Sequence, residues 1–366
     1  MNKEQITEAL RNVIYFPESD NIIALNMVED LQVNGKNVSF SLVFPLPNDR
    51  SAEIVKKACI ATILQQVDPE AKVEGNIQIK VRKPQNKGGL SEIKNIIVIA
   101  SGKGGVGKST VAANLAVALG KTGAKVGILD ADIYGPSVPL MFGLTDARPE
   151  AIEEDGKTII IPLEKYGLKI LSIGFFVDPS QALIWRGPMA SSALNQLLHD
   201  TAWGELDYLI ADLPPGTGDI HLTMVQEVSV TGVAIVTTPQ QVALADAIKA
   251  YNMFRQEKIN VPILGLVENM AYFTPAELPG NKYYIFGKEG GKKISQEYGI
   301  PLLGQIPIVQ SICESGDTGK PVVTDDDSIV GKAFMELAQN FIRQVELRNQ
   351  LLEPTKRVEI NPNAGH

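Results

Sequence analysis

The spacing of hydrophobic and polar positions changes near residue 94. Before that point the pattern predicts a small α+β unit. Residues 6–13 read as a short helix, and Leu31-Gln32-Val33 runs into Asn34-Gly35, a pair that accepts the positive φ angles of a tight hairpin turn. Alternating Val38-Ser39-Phe40-Ser41-Leu42 returns as a strand with every second side chain on one face. Ser51 opens a helix on which Ile54, Ala58, Ala61 and Leu64 share an apolar face. Residues 73–81 alternate again, through Ile77 and Ile79.

Past Lys94, short apolar runs alternate with helical stretches to about residue 345. The runs at 96–100, 126–129, 170–173, 208–211, 233–237, 263–267 and 302–303 predict strands. Continuously apolar strands separated by helices belong in a mostly parallel sheet with helices on both faces, so the expected fold class is α/β. Between the two patterns, Arg82-Lys83-Pro84-Gln85-Asn86-Lys87-Gly88-Gly89 has no period and reads as a joint. The expected domains are therefore 1–82, a linker at 83–94, and 95–350. A disordered tail at 351–366 is suggested by Glu353-Pro354 and Asn361-Pro362-Asn363-Ala364-Gly365.

Charge narrows the function classes. The 42 acidic and 34 basic residues give a formal net charge of -8, which argues against non-specific binding to DNA or acidic lipid. No apolar run approaches the roughly 18 residues that would cross a bilayer. Residues 1–12 carry Lys3, Glu4, Glu8 and Arg11, unlike an export signal, so a cytoplasmic location with reduced thiols is expected. The only cysteines are Cys59 and Cys313, and no Cys-x-x-Cys exists, so one chain cannot supply four thiolates. Cys59 lies in an apolar helical run and reads as packing, whereas Cys313 follows Ile312 in a stretch that looks like loop or helix start.

The chemistry concentrates in Ser101-Gly102-Lys103-Gly104-Gly105-Val106-Gly107-Lys108-Ser109-Thr110, between a predicted strand and a predicted helix. This is the setting of a phosphate loop. Glycines let backbone N–H groups converge on phosphate oxygens, and the helix N-terminus faces the same charge. Lys108 suits the β- and γ-phosphates of ATP, and the Ser109 hydroxyl suits Mg²⁺. Asp130 and Asp132 follow one strand and Asp212 another, at the carboxyl ends where such sites lie. Asp212 is expected to hold Mg²⁺ through a water, and either Asp130 or Asp132 to orient the attacking water. Gly216 and Gly218 would let the following loop meet the γ-phosphate.

Lys103, between the first two glycines of the loop, resembles the deviant signature of the MinD/ParA/nitrogenase-iron-protein class. Within that class, the segments Asp130 to Ser137, Trp185-Arg186-Gly187-Pro188-Met189, Asp212 to Asp219 and Val267-Glu268-Asn269-Met270 are similar to the Mrp/Nbp35 (ApbC-type) family. So are Phe286-Gly287, Gly290-Gly291 and Gly316-Asp317-Thr318-Gly319-Lys320-Pro321, and the first 82 residues resemble the MIP18-type domain that commonly precedes it. The resemblance implies a homodimeric ATPase that carries iron–sulfur clusters to client apoproteins alongside other assembly proteins. It implies that Lys103 reaches the partner subunit's nucleotide, Asp132 helps activate water, Asn269 contacts adenine and Arg186 lies near the dimer interface.

The chain departs from this family where a Cys-x-x-Cys pair usually follows Asn269-Met270-Ala271-Tyr272-Phe273; here it reads Thr274-Pro275-Ala276-Glu277-Leu278-Pro279. Thiolates are the usual ligands of such clusters. Two readings follow: a carrier with Cys313 as candidate cluster ligand, or a nucleotide-switched assembly factor that holds no cluster itself. A MinD- or ParA-like positioning protein is a third, disfavoured because Pro354 interrupts any C-terminal amphipathic helix.

Overall fold

The computed structural model describes residues 1–16, 20–44, 51–73, 75–81, 90–154, 156–177, 185–275, 277–278, 280–325 and 327–358. It divides into two compact units, Met1–Asn86 and Lys87–His366. Residues 82–89, most of the expected linker, lie outside the described residues.

In the first unit, α1 (Lys3–Leu10) starts from Asn2, whose side chain accepts the Gln5 N–H while the Gln5 side chain accepts the Asn2 N–H. A two-residue ribbon follows, β1 (Ile14–Tyr15) with β2 (Asp20–Asn21). The expected hairpin is β3 (Val28–Asn34) and β4 (Asn37–Phe44), turning through Gly35 at φ +61°. Helix α2 (Ala52–Gln66) then crosses to β5 (Ile77–Val81), which runs parallel to β4. One expectation is overturned. The buried face of α2 is Ala52, Val55, Cys59 and Ile63, whereas Ile54 is 63% exposed. The helix is apolar on more than one side, so the sequence offered two faces and the core of Ile6, Leu10, Phe40 and Phe44 took the other.

The second unit is built on an eight-stranded sheet. Its chain order is β6 (Ile93–Ala100), α3 (Lys108–Lys121), β7 (Val126–Asp130), α4 (Val138–Met141), a separate ribbon of β8 (Glu150–Glu154) and β9 (Lys157–Ile161), then β10 (Leu163–Lys165) and β11 (Leu168–Ser172). Next come α5 (Gly187–His199), β12 (Leu206–Asp212), α6 (Asp219–Glu227), β13 (Gly232–Thr237), α7 (Gln241–Arg255) and β14 (Ile263–Glu268). The chain continues through α8 (Gly290–Tyr298), β15 (Leu302–Gln305), α9 (Gln310–Thr318) and α10 (Ile329–Leu351). The sheet order is β10-β11-β7-β12-β6-β13-β14-β15, parallel except for the antiparallel edge strand β10. The carboxyl ends of β6, β7 and β12 thus lie side by side. Helix α3 is apolar on nearly every side from Val111 to Leu119 and is buried throughout that stretch.

Two findings concern the C-terminal third. The stretch around Cys313, which read in sequence as loop or helix start, is helix α9, closed by Gly319 at φ +70°. A side chain at Gly319 would come within 2.4 Å of Gly143, so this helix end is fixed by close backbone contact. Where composition suggested a loose tail, the chain is held as far as Val358, which is buried and donates its N–H to the Val225 carbonyl at 2.9 Å. Residues 359–366 lie outside the described residues.

Candidate nucleotide site

The loop between β6 and α3 encloses an open cradle. Gly105 and Gly107 adopt φ +80° and +77°, conformations that side chains resist. A Cβ on Gly102 would fall 1.9 Å from the Asp246 carbonyl oxygen, and one on Gly107 would fall 2.2 Å from Asn269 Nδ2. The loop is therefore pressed against α7 on one side and Asn269 on the other. Ser101 ties it to the loop after β12: its hydroxyl donates to the Lys103 carbonyl at 3.1 Å, and its own carbonyl accepts the Gly216 N–H at 2.8 Å. The cradle opens into a cleft of about 220 Å³ lined by Lys103, Gly105, Ser109, Asp132, Ser137 and Pro215 among others.

Charge is concentrated beneath it. Lys108, the first residue of α3, is buried and donates to Asp212 Oδ1 at 2.6 Å and to Ser109 Oγ at 3.2 Å; Asp132 Oδ2 lies 3.4 Å away. Burial works to lower its ammonium pKa, but Asp212, then Asp132 and Asp130, hold it above the ordinary lysine range. Asp130 and Asp212 are register partners at the ends of β7 and β12, and both are fully buried. Burial first and the Asp212 charge second push Asp130 up to about 7. Burial also raises Asp212, against the pull of Lys108.

The two strand-end aspartates differ in what they touch. Asp130 Oδ1 accepts the Asp132 N–H at 3.1 Å, while Oδ2 accepts the Val138 N–H at 3.1 Å and the Ser172 hydroxyl at 2.8 Å. Both oxygens are engaged in shaping the loop after β7, which leaves Asp132 as the carboxylate on the cleft wall. Asp212 Oδ2 is buried without a hydrogen-bond partner. Asp212 and Asp132 lie against one ammonium, and the second Asp212 oxygen is buried without a partner near Ser109 at the start of α3. That donor set is hard and oxygen-rich, and it fits Mg²⁺.

The remaining expected residues lie as follows. Gly102, Gly104, Gly105, Val106, Gly107, Lys108, Ser109 and Thr110 form the loop and the first turn of α3, with the Val106 side chain buried in the core. Lys103 is exposed at the rim. Asn269 is buried behind the loop, where its side chain donates to the Val106 carbonyl at 2.8 Å and its N–H donates to the Thr237 carbonyl. Arg186 is exposed at the N-cap of α5. Cys313 lies on α9, and its side chain is outside the described residues. Cys59 is a core residue of the first unit, and burial pushes its thiol up to about 12, so it is an inert packing group. Among the described residues, no cluster of three or more His, Cys, Asp or Glu is arranged to hold a metal ion.

Two contributors had no local signal in the sequence. Ser172 ends β11 and reaches Asp130 only because those strands are neighbours. His221, in the first turn of α6, is 1% exposed and packs edge-on against Phe254, with ring centroids 6.1 Å apart. Burial pushes its imidazole down to about 4, so a neutral ring underlies the start of α6 at neutral pH.

This sheet and loop define a P-loop NTPase fold. A family model described as "NUBPL iron-transfer P-loop NTPase" matches residues 92–342, and one described as "Iron-sulfur cluster assembly protein" matches residues 3–74. The chain is 44% identical over 332 residues to the iron–sulfur cluster carrier protein of Synechocystis sp., covering 89% of this chain and 93% of that one. It is also 44% identical over 369 residues to the carrier protein of Aquifex aeolicus, covering 94% and 99%. Among solved structures, the nucleotide-binding protein of Archaeoglobus fulgidus in complex with ADP aligns with a TM-score of 0.57 and 38% identity, over 67% of this chain and 93% of that chain. The chain belongs to the Mrp/ApbC-type iron–sulfur cluster carrier family, with an N-terminal iron–sulfur assembly domain.

Proposed function

We propose that this protein is an Mg²⁺-dependent ATPase that acts as a homodimeric, nucleotide-driven switch in iron–sulfur cluster assembly, without a cluster site built from paired thiolates of its own. The observation that carries the proposal is the buried Lys108, held against Asp212 and Asp132 at the base of a phosphate loop in a chain with only two cysteines.

In this reading Lys108 and the loop N–H groups bind the β- and γ-phosphates of ATP. Water attacks the γ-phosphorus, the bond to the β-phosphate oxygen breaks, and ADP and phosphate leave. Asp132 orients that water and takes its proton, while Asp130 keeps the Asp132 loop in shape. Ser109 and Asp212 would hold Mg²⁺, whose charge offsets that of the phosphates. Lys103, exposed at the rim, reaches the partner subunit's nucleotide, and Asn269, which also braces the loop through the Val106 carbonyl, contacts adenine. Gly216, hydrogen-bonded to Ser101, connects occupancy of the phosphate loop to the loop after β12.

The cluster, in this account, is cargo passed between assembly proteins and client apoproteins. Near full-length likeness to proteins named as carriers favours a second reading, in which two copies of Cys313 contribute to a transient cluster site in the dimer. The ATPase half is tested by phosphate release with and without Mg²⁺, together with sedimentation with and without ATP. Release independent of Mg²⁺, or a strict monomer hydrolysing at full rate, would contradict the proposal.

A further inference from the structure

At the opposite end of β6 from the phosphate loop lies a second cavity, of about 470 Å³, that ATP hydrolysis leaves without a role. Its apolar wall includes Ile93, Val228 and Leu352, and its cationic groups are Lys94, Arg348 and Arg357. No carboxylate is among its described lining residues, although the chain as a whole carries a formal charge of -8. The cavity is a local reversal of the protein's field.

The three cations are not equivalent. Lys94 is paired with Asp207 at 2.8 Å. Arg357 is exposed at the mouth. Arg348 is 9% exposed, and its hydrogen bonds are all to neutral acceptors: Asn349 Oδ1 at 3.1 Å, the Glu353 carbonyl at 2.8 Å and Thr355 Oγ1 at 2.6 Å. Its Nε is buried without a partner. The carboxyl end of α10 offsets part of the charge. A buried guanidinium with no carboxylate beside it among the described residues still retains an unmet demand for an anion.

We propose that this cavity binds a small amphipathic organic anion, a carboxylate or phosphate monoester. Its charged group meets Arg348 and Arg357, and its apolar body lies against Ile93, Val228 and Leu352. The volume lies within the range of about 300–1,000 Å³ usual for small-molecule sites. The apolar wall discriminates against inorganic ions, and the unpaired guanidinium against neutral ligands. Leu90 and Ser91, which also line the cavity, stand where the described chain enters the second unit, and β6 runs from here to the phosphate loop. A bound ligand therefore touches the strand that carries the nucleotide site.

The test is isothermal titration calorimetry on the full chain, first saturated with Mg-ADP so that phosphate groups cannot occupy the nucleotide loop. The probes are octanoate, phenyl phosphate, inorganic phosphate and benzyl alcohol. One saturable site per chain is expected for octanoate or phenyl phosphate, and the tighter of the two identifies the acid. Inorganic phosphate and benzyl alcohol should each bind at least ten-fold more weakly. Arg348→Lys and Arg357→Gln should each weaken the organic anion roughly ten-fold, the scale of one lost charge-assisted hydrogen bond. Arg357 is exposed, so its variant should keep the parent's thermal midpoint and remain informative if Arg348→Lys disturbs the end of α10. No saturable site for either organic anion, or unchanged affinity in Arg357→Gln, would overturn the proposal. Equal affinity for benzyl alcohol would remove the anion from it, and equal affinity for inorganic phosphate would remove the apolar body.

Discussion

The Lys108 ammonium donates to Asp212 Oδ1 at 2.6 Å with both groups buried, although its proposed work is to meet the phosphates of ATP. The ion pair keeps the lysine charged and aimed at the base of the cradle before nucleotide arrives. Lys108→Ala is expected to abolish hydrolysis, lowering the rate at least 100-fold, because the transferring phosphoryl charge loses its nearest compensation. It also leaves the buried Asp212 unpaired. Phosphate release by parent and variant, at matched folding by circular dichroism, checks this; activity within twofold of the parent would remove Lys108 from the account.

Asp132 and Asp130 should separate in kinetics. Asp132→Asn is expected to lower kcat by roughly 100-fold, within the range usual for removing a general base, while ATP affinity stays within a few-fold of the parent. Steady-state kinetics and equilibrium nucleotide binding on the same samples measure both. Loss of binding in parallel with loss of rate would mean that Asp132 only shapes the site.

Stability against pH should report the two buried titratable groups in opposite directions. Asp130, raised to about 7 from an ordinary value of 3.8, binds more protons folded than unfolded between those pH values. Its effect is to lower stability as pH rises from about 4 to 7, by at most about 1.4 kcal/mol per unit. His221, lowered to about 4 from 6.5, does the reverse: the unfolded chain takes the proton first, so stability falls as pH drops through that window. Denaturant unfolding from pH 4 to 8 should show a shallower decline on the neutral side in Asp130→Asn, and a smaller acid loss in His221→Gln. Parallel profiles for parent and both variants would refute the assigned ionisation.

Gly107→Ala should lose nucleotide binding at least ten-fold. The added Cβ meets Asn269 Nδ2 at 2.2 Å and the residue must hold φ +77°. Adding Asn269→Ala relieves the first problem but not the second, so the double variant should recover only part of the affinity. Full recovery would show that contact with Asn269 alone made glycine necessary. No recovery would show that backbone conformation alone did.

Much of this was readable in the chain because phosphate loops are local. Residues 101–110 carry their glycines, lysine and hydroxyl in one uninterrupted segment, and the apolar strands beside them are marked by continuous runs such as Ile96 to Ala100. Features made by distant pairing were not legible. Ser172 reaches Asp130 through strand order, and no residue near either one announces it. The ribbon of β8 and β9, with Glu150-Ala151-Ile152-Glu153-Glu154, carries too much charge to stand out as a strand. Helix α9 contains Ser311, Ser315, Gly316 and Asp317, weak helix formers that read as loop until packing near Gly143 fixes the end of the helix. On α2, an apolar residue on either side left the inward face undetermined.

The central claim is an ATP-driven switch in a cluster-assembly family whose own chain lacks paired thiolates. The most direct measurement is anaerobic cluster reconstitution of the full chain, scoring iron and acid-labile sulfide per dimer after desalting, with Mg-ATP phosphate release assayed on the same preparation. The account predicts Lys108-dependent phosphate release alongside iron and sulfide far below one cluster per dimer, in the parent and in Cys313→Ser alike. A near-stoichiometric cluster that survives desalting in the parent, and is lost in Cys313→Ser, would contradict it and establish the chain as a carrier through Cys313.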